Sequence, residues 1–376
     1  MRLAIVTHAV VRGDGQGRVN LEIARAALGR GWSVVLLASR ADPSIVDAGA
    51  TWVRVVPRRL PTALVHGQAF ALAATAALRR LRPRPGVTLA NGFVMWAQSD
   101  INVVHFVHGA WLRSAAYPFR RPRTPYAAYQ RAYTELNARL ERIAFRESRY
   151  LVAVSEKTAV ELRALGMPET RIVTIANGVD PLEYRPGPPQ RRRWELPDAV
   201  PVFLFAGDLR TARKGLDTVL RALARTPQVH LAVAGDACDS PFPALAASLG
   251  LERRVHWLGF QRDMPTLMRS VDALVFPSRY ESCGLVILEA MASGLPVLTA
   301  RTAGGSALVG EGGRVLDDPD DVSTLARWMS ELAADAVLRR RMGTIGRAIA
   351  EQHTWSAMAE QYLELIEQSS RERARG

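Results

Sequence analysis

The chain has 376 residues, 48% of them hydrophobic and 23% charged, too many for one compact core and suited to two domains of roughly 150 to 200 residues each. Its formal charge of +13 and pI near 10.6 point to anionic partners, whether nucleic acid, anionic lipid or a phosphorylated substrate, without choosing among them. No run of about 18 uncharged apolar residues occurs, so no membrane-spanning helix is expected, and Cys238 and Cys283, the two cysteines of the chain, are distant and lack metal-ligand spacing, so neither a disulfide framework nor a zinc site is indicated.

Residues 1–7 read as a short buried strand, without the apolar core or cleavage site of a signal peptide. A reducing cytoplasm is therefore the expected location. A helix over residues 18–28, ending at Gly29-Arg30-Gly31, leads to a second strand over 33–38 and a third over 51–56. The apolar period of residues 63–81 predicts a helix stopped by Pro83 and Pro85, followed by strands over 87–90, 101–107 and 150–154. Alternation of helices with β-branched runs is the pattern of a parallel, doubly wound sheet.

The character changes between residues 170 and 201. A strand over 171–175 and a turn at Asn177-Gly178-Val179-Asp180 complete a first domain over 1–180. Residues 181–200, rich in proline and arginine and lacking an apolar period, read as a linker. A second alternating series, over 201–350, has strands at 202–206, 229–234, 254–257, 273–276 and 297–299, and helices at 215–225 and from Cys283-Gly284 onward. Residues from Asp320 are helical, and the last segment, 351–376, is a final helix with a polar tail.

Open parallel sheets bind ligands outside the carboxyl ends of their strands. The candidate loops of the first domain are therefore residues 13–18, Asn91-Gly92, His108-Gly109 and Ser155, and those of the second are 207–215, Gly235-Asp236, 278–284 and 303–306. The first loop, Gly13-Asp14-Gly15-Gln16-Gly17-Arg18, fits a dinucleotide fingerprint poorly, because the third glycine comes too early and Arg40 stands where a ribose-binding acid is expected. His108 closes a strand, either hydrogen-bonded there or facing the crevice. Arg210, Arg213 and Lys214 gather before a helix, as solvated charge or as the cations that a departing diphosphate needs.

The densest signal lies between Tyr280 and Val297. A strand end delivers Pro277 and Ser278 into a turn, a helix opens near Cys283-Gly284 just after Glu281, and Glu289 lies a little over one turn in. A helix N-terminus with unpaired backbone N–H groups suits a diphosphate, and a carboxylate one turn on could reach the hydroxyls of the attached group. The plainer alternative is favourable electrostatics between Glu281 and the helix dipole, with Glu289 an ordinary helix position.

In sequence, Glu281-x7-Glu289 inside Glu-Ser-x-Gly-Leu-x-x-Leu-Glu-Ala-Met-Ala-x-Gly-Leu-Pro-Val resembles the signature of family 4 retaining glycosyltransferases of the GT-B fold. Also similar are the loop from Gly15 into Glu22-Ile23-Ala24-Arg25, Asn177-Gly178-Val179-Asp180, Arg213-Lys214-Gly215, Gly304-Gly305, and the ending around Met342-Gly343 and Thr354-Trp355. The resemblance covers essentially the whole chain. It implies an α/β fold of two Rossmann-like domains with parallel sheets facing across a cleft, the final helix crossing back to the first domain.

What the resemblance implies for the site is concrete. Glu289 would hold the ribose and Glu281 the donor sugar, while Lys214 with Arg213 or Arg210 would neutralise the diphosphate, helped by the amides of Cys283, Gly284, Leu285, Gly304 and Gly305. His108 and Gly15 would reach the sugar and phosphate from the first domain. The donor would be a UDP- or GDP-linked sugar, with no further cofactor and no metal. The acceptor would be a glycan or lipid-linked molecule of envelope polysaccharide, lipopolysaccharide or glycolipid synthesis. Three departures stand out: Asp14 in place of a glycine, Asp208 in place of an arginine, and no acidic residue after Gly305. Asp14 and Asp208 leave open a second reading, a catalytically weak GT-B sugar-nucleotide-binding or regulatory protein.

Two further stretches bear on partners. Asp318-x-Asp320 resembles a metal-binding pair, but its place before a helix favours capping. Residues 111–149 interleave nine arginines, Arg113 to Arg149, with Trp111, Tyr117, Phe119, Tyr126, Tyr129 and Tyr133. This suits either an anionic membrane face, placing the protein peripherally on the inner face of the cytoplasmic membrane, or a solvated helix hairpin. No recognition helix or RNA-binding motif accompanies the basic charge, and no nucleic-acid partner is expected.

Overall fold

A computed structural model describes residues 1–56 and 62–375. It divides into two compact units, Met1–Gly178 with Trp355–Gly376, and Val179–Thr354. The first contains, in chain order, β1 (Arg2–Val10), α1 (Gly15–Gly29), β2 (Ser33–Ala41), α2 (Pro43–Asp47), β3 (Thr51–Arg54), α3 (Ala63–Arg80), β4 (Val87–Asn91), β5 (Ile101–Val104), α4 (His108–Arg113), α5 (Pro125–Glu147), β6 (Tyr150–Ala153), α6 (Glu156–Ala164) and β7 (Ile172–Thr174). The second contains β8 (Val202–Ala206), α7 (Leu216–Ala224), β9 (His230–Ala234), α8 (Phe242–Ser248), β10 (Val255–Gly259), α9 (Met264–Met268), β11 (Ala273–Phe276), α10 (Leu285–Ala292), β12 (Val297–Ala300), β13 (Gly313–Leu316), α11 (Val322–Ala334) and α12 (Ala336–Gln352). The last helix, α13 (Trp355–Arg375), returns to the first unit.

Both sheets are parallel. Their strand orders are β3-β2-β1-β4-β5-β6-β7 and β10-β9-β8-β11-β12-β13. Each order reverses once, between β1 and β4 in the first sheet and between β8 and β11 in the second, and the loops leaving those strands diverge to open a crevice. The strands are apolar throughout because helices cover both faces: every residue of β4, β8 and β11 is buried.

Several boundaries differ from the predicted ones for identifiable reasons. Helix α1 begins at Gly15 rather than at residue 18, because the Asp14 carboxylate caps it, accepting from the amides of Gln16 and Gly17 at 3.2 and 3.4 Å. The strand expected over 101–107 stops at Val104, and His108 opens α4 instead of closing a strand. Strand β13 was not predicted. It is short and begins with glycine, but it pairs with β12 from Val297↔Gly313 to Ala300↔Leu316.

The linker expected over 181–200 is part of the second unit. The Arg191 guanidinium donates to the Ser270 carbonyl at 3.0 Å and the Asp272 carboxylate at 2.6 Å, Trp194 Nε1 donates to Gln261 at 2.9 Å, and Leu196 is buried in the core. Arg191 binds four carbonyls here, those of Pro197, Asp198, Val200 and Ser270, so a segment without apolar period is ordered by polar anchoring. Helix α13 docks through buried Tyr362, Leu363 and Ile366, with ion pairs at its rim such as Arg30 to Glu367 at 2.7 Å.

Candidate functional site

The crevice of the second unit is built from the loops after β8 and β11. After β8 the chain turns through a single 3-10 turn, Ala212–Lys214, and reaches Gly215 with φ +80°. A side chain at Gly215 would be strained by that conformation, and its Cβ would lie 2.2 Å from the Pro277 carbonyl oxygen. Glycine thus lets the cationic turn lie against the end of β11. Lys214 consequently stacks its ammonium over the Phe276 ring, 5.3 Å from the centroid, and makes an ion pair with Glu281.

Arg213 is drawn into the same cluster. Its Nη1 donates to the Tyr280 carbonyl at 3.3 Å and lies 3.9 Å from the Glu281 carboxylate. Its own carbonyl accepts from the Arg279 amide at 2.9 Å and the Ser278 hydroxyl at 3.2 Å. Burial lowers the Lys214 pKa to about 7, and Arg213 acts in the same direction. The Glu281 carboxylate in contact with the ammonium opposes that shift. We take the pair as charged, because each member removed from water is compensated by the other.

Glu281 is fixed from its backbone. Its N–H donates to the Thr302 carbonyl at 3.3 Å and its carbonyl accepts from Gly304 at 2.9 Å, so the loop after β11 is tied to the loop after β12. Gly305 packs against this junction, where an added Cβ would stand 2.7 Å from the Cys283 carbonyl oxygen. Helix α10 then starts at Leu285 after Gly284, and no side chain caps its first amides. Those amides keep the positive end of the helix dipole available to an anion.

Beside the cluster lies a cavity of about 430 Å³ walled by Gly207, Asp208, Arg210, Gly235, Phe260 and Glu289, among others. Glu289 is only partly covered, yet desolvation dominates its carboxylate. The Tyr184 hydrogen bond works against that effect, the Glu183 charge works with it, and the pKa is pushed up to about 7. Arg210 also lines this cavity, but its Nε and backbone N–H both point to Asp208 Oδ1, each at 3.1 Å. Part of its charge is therefore already matched, which leaves Arg213 and Lys214 as the more concentrated cations.

The structure thus gathers Lys214, Arg213 and Glu281 into one polar cluster, framed by Cys283, Gly284, Leu285, Gly304 and Gly305, with Glu289 and Arg210 on the adjoining wall. Gly15 and His108 belong to the first unit, past the carboxyl ends of β1 and β5. Asp14, unexpected beside Gly15, is the helix cap described above. His108 is held by a residue the sequence reading passed over: buried Glu141 accepts from its Nδ1 at 2.9 Å. A second such residue is Arg279, bidentate to Asp217 at 2.8 Å and paired with Asp320 at 2.7 Å. It ties the loop after β11 to α7 and to the turn before α11. Asp320 is accordingly an ion-pair partner, and Asp321 caps α11 through the Thr324 amide at 2.9 Å.

Two parallel Rossmann-like units, the second with a cationic turn, an uncapped helix start and an acid-walled cavity at its switch point, define the GT-B fold class. Residues 13–182 match the family profile described as "Glycosyltransferase Family 4" and residues 188–349 the one described as "Glycosyl transferases group 1". The chain belongs to this glycosyltransferase family.

It is 33% identical over 180 residues to the lipopolysaccharide core biosynthesis glycosyltransferase LpsE of Rhizobium meliloti, a match covering 47% of this chain and 52% of that protein. It is 32% identical over 241 residues to the D-inositol 3-phosphate glycosyltransferase of Xylanimonas cellulosilytica, covering 59% and 58%. The chain thus spans little more than half the length of these curated relatives. The crystal structure of Anabaena HepE in complex with UDP-glucose shares its fold, with a TM-score of 0.73 and 20% identity over 98% of this chain and all of that one.

Proposed function

We propose that the protein is a retaining glycosyltransferase that moves a sugar from a UDP- or GDP-linked donor to a glycan or lipid-linked acceptor in envelope polysaccharide, lipopolysaccharide or glycolipid synthesis. The observation that carries this reading is the Lys214–Arg213–Glu281 cluster beside the Glu289 cavity, on loops from two strands that flank the switch point of one sheet. Glu289 receives the ribose hydroxyls and Glu281 those of the sugar. The diphosphate lies at the start of α10, with Arg213 and Lys214 neutralising the charge that grows as it leaves. UDP-glucose in the HepE complex supports a nucleotide-sugar donor.

Neither glutamate acts as a nucleophile in this reading. The leaving phosphate deprotonates the acceptor on the same face of the sugar, and the protein positions reactants and stabilises charge without a metal. The acceptor side lies on the first unit. LpsE supports a lipopolysaccharide-type acceptor, and the basic segment 111–149 supports a peripheral association with anionic lipid. No helix among the described residues is long and apolar enough to cross a membrane.

Turnover of a panel of UDP- and GDP-sugars, with the anomeric configuration of the product read by NMR, tests the proposal. Transfer with retention is the expected result. Binding of a nucleotide sugar without transfer to any acceptor of these classes would favour the second reading, a sugar-nucleotide-binding protein, for which the preformed Asp208–Arg210 pair in the cavity wall is the specific observation.

A further inference from the structure

A cavity of about 820 Å³ lies in the first unit, walled by five arginines, Arg79, Arg84, Arg149, Arg171 and Arg373, against two acids, Asp100 and Glu147. The arginines come from the last turn of α3, the loop before β4, the residues just ahead of β6 and β7, and α13. Asp100 directly precedes β5, and Glu147 ends α5. Because the sheet is parallel, these places gather at the amino ends of β4 to β7. The loops that open the crevice of this unit leave the opposite ends, about 16 Å away along a five-residue strand such as β4.

Little of the positive charge is answered from within. Asp100 is taken up by Arg373, 3.2 Å away, and by the Thr88 amide at 2.8 Å. Arg149 reaches Glu372 at 3.5 Å, a carboxylate that also accepts from the Tyr150 hydroxyl at 2.7 Å. Arg171 donates through Nη1 to neutral acceptors, the Arg146 and Ser148 carbonyls at 2.9 and 3.0 Å, and its Nε is buried without a hydrogen-bond partner among the described residues. Arg79 and Arg84 are exposed and pair with no carboxylate among the described residues. The carboxyl ends of α3 and α5 lie on this side and contribute roughly half a negative charge each, which leaves the lining with a surplus of about two positive charges.

We propose that this cavity is an anion site for a phosphate monoester, whether carried by a soluble metabolite or as the headgroup of a lipid. Such a group brings about two negative charges and three acceptor oxygens at neutral pH, which matches the surplus. Guanidinium groups meet it with paired N–H donors. The volume exceeds what a phosphate fills and leaves room for the body of the molecule that carries it. Arg120, Arg121 and Arg123 precede the other end of α5, whose 23 residues span about 34 Å, so the two basic surfaces are separate. All residues of the site belong to the first unit, and the site holds whether or not the second unit binds a nucleotide sugar.

Titration calorimetry of the full-length protein with glycerol 3-phosphate, in the wild type and in Lys214→Ala to remove the cationic turn of the second unit, tests the proposal. The expected result is binding that survives Lys214→Ala and weakens by about tenfold or more in Arg79→Ser/Arg84→Ser, the scale of losing hydrogen bonds to a charged group. Both arginines are exposed, so Tm should stay at the wild-type value. Repeating the titration with a short-chain phosphatidic acid, kept below its micelle threshold, identifies the carrier. Tighter binding of the lipid than of glycerol 3-phosphate assigns a headgroup, and equal or weaker binding assigns a soluble ester. Equal affinity of Arg79→Ser/Arg84→Ser and wild type for both ligands, or no binding of either ligand, would overturn the proposal. Full affinity in Arg79→Lys/Arg84→Lys would reduce the cavity to a diffuse basic surface and overturn it as well.

Discussion

Lys214 and Glu281, expected to serve the diphosphate and the sugar separately, are direct partners in the structure. A lysine and a carboxylate half withdrawn from water stabilise one another only as long as both remain, since removing one leaves the other buried and uncompensated. Their pairing also sets where each can point. In the proposed reading, a diphosphate at the start of α10 would compete with Glu281 for the ammonium and free the carboxylate to accept sugar hydroxyls.

Lys214→Ala and Glu281→Ala are each expected to reduce transfer by roughly 10²-fold or more, the scale of losing one preorganised charge partner. Because the two act as a unit, the double variant should lose far less than the product of the single effects. Rates of all three against one donor check this. Circular dichroism of each variant should match the wild type.

Glu289 gives a pH dependence with a definite sign. Its pKa in the folded protein is raised to about 7 from an ordinary 4.5, so the group favours the folded state most below 4.5 and that contribution fades as pH rises through 7. In the proposed reading donor binding runs the other way, since a ribose hydroxyl would donate to the ionised carboxylate. Affinity for a UDP-sugar, whose diphosphate does not titrate in this range, should rise between pH 6 and 8. In Glu289→Gln the rise should vanish, and thermal stability at pH 8 should exceed that of the wild type.

Gly305→Ala tests the scaffold rather than the chemistry. The added Cβ meets the Cys283 carbonyl oxygen at 2.7 Å, on the loop that leads into α10. Relief requires moving that loop away from β12, at about 1 to 3 kcal/mol of stability. Donor affinity should fall together with Tm.

For the basic segment the structure separates two kinds of residue. Its aromatic rings largely pack on one another, Trp111 to Tyr117 at 5.5 Å, Tyr117 to Phe119 at 5.8 Å and Phe119 to Tyr126 at 6.0 Å, while Arg121, Arg123 and Tyr126 are exposed. Replacing Arg120, Arg121 and Arg123 with serine should abolish salt-sensitive flotation with vesicles containing anionic lipid. Equal flotation of variant and wild type would remove the membrane face from the account.

The parts of this molecule legible in the sequence were those written in local patterns. Buried parallel strands announce themselves as apolar runs, and the loops after them follow from the topology, so 207–215 and 278–284 could be named as site loops before any geometry. The segment 181–200 was misread because arginine anchoring to backbone carbonyls leaves no apolar period. Glu141 and Arg279 were missed for a different reason. Glu141 is 33 residues from His108, and Arg279 is 62 from Asp217 and 41 from Asp320, and no spacing rule connects residues that only the fold brings together. A buried acid such as Glu141 carries one faint signal, its place among the apolar positions of α5.

The most direct test of the central claim is titration calorimetry of the full-length protein with a UDP-sugar and a GDP-sugar, comparing wild type with Glu289→Ala and Lys214→Ala. The account predicts that the wild type binds one of the two, and that each variant weakens binding of that donor by tenfold or more, the scale of losing a hydrogen bond to a charged group. Binding of equal strength in all three proteins would place the nucleotide sugar somewhere other than the cavity beside Glu281, and would contradict the account.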